Sequence, residues 1–122
     1  LYLENDDFCK RLVDHNEEIY VVPKSKINHL GGKAVSQKFS EEVELSRNWH
    51  WIWSKFYFNR KHKGYFFALI NGLPTFTSAV LKCVLYLVIF NPEKSKIYLH
   101  RAMGYLNALI GRKSFFRPNI KI

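Results

Sequence analysis

Two rhythms of apolar and polar positions divide this chain. Between Asp6 and His15, Phe8, Leu12 and Val13 recur at helical spacing, which predicts a short helix. A β-like run, Ile19-Tyr20-Val21-Val22, comes next inside Glu17 to Val22, and Pro23 limits its continuation. Lys24 to His29 predicts a second short strand, with Ser25 and Ile27 on one face and Lys26 and Asn28 on the other. Gly31-Gly32 permits a sharp exit, and Lys33 to Ser40 is a polar loop.

From there the pattern turns helical almost to the end. Ser40-Glu41-Glu42-Val43 is a partial capping box, with Val43 where the acid belongs, and it opens a helix from Glu41 to about Lys63. Gly64 breaks it, and Asn71-Gly72-Leu73-Pro74 interrupts the apolar stretch beyond. Pro74 belongs in the first turn of a new helix, where its missing N–H costs little; that helix runs to Phe90. After Asn91-Pro92, a last helix covers about Lys94 to Ile110 and ends at Gly111. Leu69 to Phe90 is apolar enough to raise the question of a membrane span. Asn71, Thr75, Ser78 and Lys82, however, fall on one helical stripe, and an amphipathic helix lying in the interface fits that stripe better than a spanning one.

Charge sharpens this division. Residues 1–44 hold nine acids against six Lys/Arg, whereas residues 45–122 hold thirteen Lys/Arg against Glu93, a net +12. Such a balance calls for a polyanionic partner. Trp49 to Lys63 interleaves three Trp and three other aromatics with four Lys/Arg, the composition of a membrane–water interface. No nucleic-acid-binding motif accompanies it, so nucleic acid is not the expected partner. Two cysteines, Cys9 and Cys83, are too few for a disulfide framework.

The candidate chemistry lies at the start. Glu4, Asp6 and Asp7 crowd the opening of the first helix, where one acid would satisfy the dipole and the free N–H groups. The surplus has two readings, a charge-handling site or an over-acidic helix start. Asp7 and Arg11 are spaced to pair across one turn.

Glu4-Asn5-Asp6-Asp7-Phe8-Cys9-Lys10-Arg11 resembles the Glu-Asp-x-Asp-(Leu/Phe)-Cys-x-Arg signature of family 2 glycosyltransferases, the inverting GT-A enzymes that include bacterial rhamnosyltransferases. Tyr20-Val21-Val22-Pro23 and Ile27-Asn28-His29-Leu30-Gly31-Gly32 are similar to the strand pair that comes after it in that family. Ser46-Arg47-Asn48-Trp49 resembles the Arg-Asn that opens the next helix, and Gly104-Tyr105 with Gly111-Arg112-Lys113-Ser114 resembles the family's C-terminal ending.

The resemblance implies an α/β fold in residues 1–40: a short helix and two short strands closing a GT-A catalytic domain. Residues 41–122 would form a helical, basic-aromatic, membrane-proximal extension. It implies inverting transfer of a sugar from a nucleotide-sugar donor to a lipid-linked or growing glycan at the cytoplasmic face of the membrane. The catalytic candidates are Glu4, Asn5, Asp6 and Asp7. The family's base is the second residue of its acidic pair; here that is Asn5, an amide that takes no proton at neutral pH, so one of the three acids takes the role or Asn5 orients the hydroxyl. Arg11, Gly31, Arg47, Asn48 and Trp49 are the implied substrate contacts. His29 is either a ligand of a divalent metal, Mg or Mn, or a structural hydrogen-bonder. No Asp-x-Asp is present, so most of the donor and metal site is expected on a preceding half, and the chain is not expected to act alone. The alternative is a non-catalytic membrane-binding helical module.

Overall fold

A computed structural model describes residues 2–28 and 37–117. Four helices account for its order: α1 (Glu4–Asp14), then, after a 3-10 turn at Gln37–Phe39, α2 (Ser40–Lys63), α3 (Tyr65–Val88) and α4 (Pro92–Leu109). The α/β expectation is therefore corrected, because the described residues form no strand. Ile19-Tyr20-Val21-Val22 has strand propensity but stands exposed from end to end, Val21 by 87%. Propensity without a partner edge does not make a strand, and a lone two-stranded hairpin is marginal in water. The rest of the second predicted strand, His29, lies outside the described residues, as do Leu30 and Gly31-Gly32.

The helix boundaries after Lys63 obey backbone chemistry. Gly64 adopts φ +87°, a conformation few other residues accept, and its N–H closes on the Arg60 carbonyl. At the far end Phe90 takes φ +54° and Asn91 N–H reaches back to the Tyr86 carbonyl. Asn91 then caps α4, its side chain accepting from Lys94 N–H at 3.1 Å, with Pro92 in the first turn. Two local expectations fail. Ser40 is not the cap of α2 but its first residue, the N-cap being Phe39, and Asn71-Gly72-Leu73-Pro74 does not interrupt α3, which carries Pro74 in its interior.

Packing explains that override. α3 turns its small residues inward, with Ala68 and Ala79 buried and Gly72, Thr75 and Ser78 half-buried. A Cβ on Gly72 would stand 2.2 Å from the Tyr105 ring, so α3 and α4 meet at a distance only glycine allows. Ile52, Phe56, Ala68, Tyr105 and Ala108 form the core between the three long helices, with Trp53, Phe76 and Leu109 at its margin. The Tyr105 hydroxyl donates to the Leu69 carbonyl at 3.0 Å, and Ser95 donates to the Cys83 carbonyl at 3.0 Å. α2 and α4 are in tight contact where Gly104 faces the Trp49 backbone, a Cβ there standing 2.4 Å from the Trp49 carbonyl oxygen. α1 buries none of its residues and is held to α2 by side chains.

Candidate functional site

The acidic motif lies on the first turn of α1, and the helix spreads it. At about 100° per residue, Glu4, Asn5, Asp6 and Asp7 point in four directions. Glu4, Asn5 and Asp6 face solvent. Asp7 instead points to α2, where it accepts from Lys61 Nζ at 2.6 and 2.8 Å and from His62 Nε2 at 2.7 Å. Arg11 Nε adds a second cation at 3.1 Å. The hydrogen bonds from Lys61 and His62 hold the Asp7 carboxyl down at about 2. A carboxylate so occupied is a poor general base, since its proton affinity lies far below the working range. Asp7 therefore docks α1 on α2, and Arg11 braces it.

The other implied contacts separate. Trp49 is completely buried, its ring packed against Phe115 at 5.4 Å and Phe116 at 5.8 Å between centroids. It belongs to the core, with its indole N–H unpartnered. Asn48 accepts from Arg101 Nε at 2.7 Å and donates to the Glu44 carbonyl, tying α2 to α4. Arg47 is exposed and faces a cavity of about 480 Å³ with Tyr2, Ser46, His50, Ser114 and Arg117. Gly31 and His29 lie outside the described residues. Among the described residues no three His, Cys, Asp or Glu side chains gather as metal ligands.

His50 organises the cavity. Its Nε2 lies 2.8 Å from the Phe116 carbonyl, which can only accept, so Nε2 carries the proton. Nδ1 is then the acceptor for the Ser114 hydroxyl at 2.9 Å. Burial pushes the His50 pKa down, in keeping with the neutral ring these bonds require. His50 and Arg47 sit one turn apart in a stretch dominated by tryptophan. That spacing is the signal the sequence carries, while Ser114 and Arg117 reach them only through the fold.

α3 carries an extended exposed apolar face. This helix is long and apolar enough to cross a membrane, its most apolar stretch having a mean hydropathy of 1.4, yet only 11% of that stretch is buried. Phe66, Ile70, Leu81, Val84, Leu85 and Val88 all face outward. Phe90 at the turn beyond is 92% exposed. The ammonium groups of Lys63, Lys82 and Lys94 stand over the rings of Phe67, Tyr98 and Tyr86 at 4.6, 5.4 and 5.4 Å. The face is thus apolar at its centre and cationic at its margins. No protein family, curated protein or solved structure matches the chain.

Proposed function

We propose that this chain is the membrane-seated part of an inverting sugar transferase. It would pass a sugar, rhamnose by the resemblance, from a nucleotide donor to a lipid-linked or growing glycan. The single observation that carries the membrane half is the outward apolar face of α3, bordered by lysines. An apolar face this large needs a cover, and the lysines select an anionic leaflet, each adding about 1 kcal/mol of attraction that salt screens. On this reading the helices lie on the cytoplasmic leaflet with α3 in the interface.

The transferase half rests on the resemblance of Glu4–Arg11. With Asp7 occupied by cations, Glu4 and Asp6 are the acids able to take the acceptor proton, and a divalent metal would neutralise the leaving diphosphate from outside the described residues. The second reading, a membrane-binding helical module without catalysis, is favoured by the divergence of the acids around α1.

Sugar transfer by the whole protein separates the two. Glu4→Gln or Asp6→Asn should cut turnover by about a hundredfold, the scale for loss of a general base. If both variants transfer normally at normal expression, the catalytic assignment of this motif is withdrawn. Sedimentation with lipid vesicles tests the membrane half: binding should require anionic lipid, weaken in high salt, and weaken further when Lys55, Lys63, Lys82 and Lys94 become Gln.

A further inference from the structure

We propose that the cavity between α2 and residues 112–117 binds a phosphate-bearing ligand, a phosphomonoester or a diphosphate. The inference stands on this cavity alone and does not rest on the reading of α3.

Two guanidinium groups line the cavity, Arg47 from α2 and Arg117 from the C-terminal segment, and among the described residues no carboxylate lines it. Neither arginine belongs to an ion pair among the described residues. Arg47 Nε donates to the Tyr2 hydroxyl at 3.3 Å, which leaves its two terminal nitrogens and the Tyr2 O–H as donors. Arg117 spends one terminal nitrogen on the carbonyls of Ser114 and Phe116, at 3.3 and 2.8 Å, and keeps its others. Each guanidinium fork can donate two N–H groups to a pair of phosphate oxygens, and no described carboxylate competes for them. The cavity is an open depression of about 480 Å³, room enough for a small ligand.

The arrangement is also held in advance. Phe115 and Phe116 pack on Trp49, and Phe116 meets His100 at 5.1 Å. His50 grips the same segment at Ser114 and at the Phe116 carbonyl. Trp53 Nε1 donates to the Arg112 carbonyl at 2.9 Å, fixing where the segment leaves α4. Arg117 is therefore delivered to the cavity by a pinned backbone, and little ordering remains to be done on binding. Tyr2, set edge-on against Trp51 at 5.5 Å, lines the cavity from the α1 side.

The phosphate could belong to a soluble molecule or to a lipid, and one experiment distinguishes the sources. The full chain is titrated with inorganic pyrophosphate by calorimetry. It is also sedimented with phosphatidylcholine vesicles containing either phosphatidic acid or phosphatidylglycerol at equal charge. Arg47→Gln and Arg117→Gln should each weaken the responding probe by about tenfold, the loss of one charge-assisted donor pair. Arg112→Gln, in the neighbouring cavity with Trp53 and Arg60, should leave it unchanged. Loss of pyrophosphate binding in the variants assigns a soluble ligand. Loss confined to phosphatidic acid vesicles assigns a lipid phosphate. If circular dichroism shows intact helices and neither probe distinguishes the variants from the parent, the proposal is overturned. Failure of the α3 reading looks different, since phosphatidylglycerol vesicles would then go unbound while the response to pyrophosphate or phosphatidic acid that depends on Arg47 and Arg117 remains.

Discussion

Replacing Leu81, Leu85 and Val88 together by Ser should release the protein from membranes without unfolding it. These side chains are 70, 54 and 68% exposed, so they contribute little to the core and much to any surface that covers α3. Full burial of a Leu or Val is worth about 1.5–3 kcal/mol, and scaling by those exposures gives about 3–6 kcal/mol for the three. At 1.4 kcal/mol per decade, partition into vesicles should fall by at least about a hundredfold. The inward face, with Ala68, Gly72 and Ala79 against α4, is untouched, so helical content and melting temperature should stay close to the parent's. The assay is sedimentation with anionic vesicles at low salt, beside circular dichroism. Unchanged partition of a folded variant would refute the argument, because the apolar face would then have no part in binding.

Two other predictions concern what holds the helices. Gly104→Ala places a Cβ 2.4 Å from the Trp49 carbonyl, a backbone atom that cannot rotate away, so thermal melting should show a loss of about 1–3 kcal/mol. Asp7→Asn removes the charge that gathers Lys61, His62 and Arg11, and amide exchange across Glu4–Asp14 should accelerate while α2 to α4 stay protected. Because Asp7 titrates at about 2 when docked, below the ordinary 3.8, its stabilisation of α1 is complete above pH 4. It is lost as pH falls from there through 2, so acid should free α1 in that window and not near neutrality.

The long helices are legible in the sequence because their stops are local. Gly64 needs a left-handed backbone, and Asn91-Pro92 both caps and starts α4. The strands mislead for the opposite reason. Val21 and Val22 favour extended backbone, but an edge must come from elsewhere in the chain, and no period-two pattern reveals whether it does. Pro74 misleads because propensity penalises it inside a helix, whereas the match of Gly72 to the Tyr105 ring rewards a continuous α3. The polar stripe Asn71, Thr75, Ser78 and Lys82 is visible in the spacing, though its direction is not. Asn71, Gly72 and Thr75 border α2 and Tyr105, and Thr75, Ser78 and Lys82 border Tyr98 and Arg101. For Asp7 the i,i+4 partner Arg11 is readable, but Lys61 and His62 lie more than fifty residues away and only the fold brings them in.

The direction of that stripe bears on whether α3 lies in the interface or crosses the bilayer. At 1.5 Å per residue its 24 residues reach about 36 Å, so length permits a span. Its neighbours argue against one. α2 and α4 pack along α3, and a spanning α3 would draw them into lipid as well. α2 exposes Lys55, beside Asn71, and Arg60 near the top of the bundle; Lys82 and Arg101 stand on the α4 side. Counted from the ends of α3, Lys82 and the Asn71–Lys55 level both lie about 9 Å inside. Charges at that depth, on helices with polar outer faces, are costly unless they face protein or water. Lying flat removes the conflict: Leu81, Leu85 and Val88 enter the leaflet while Lys63, Lys82 and Lys94 meet its headgroups. Alkaline carbonate and high salt should therefore strip the protein from anionic vesicles. Retention through both washes, with release only by detergent, would mean that α3 crosses the bilayer after all.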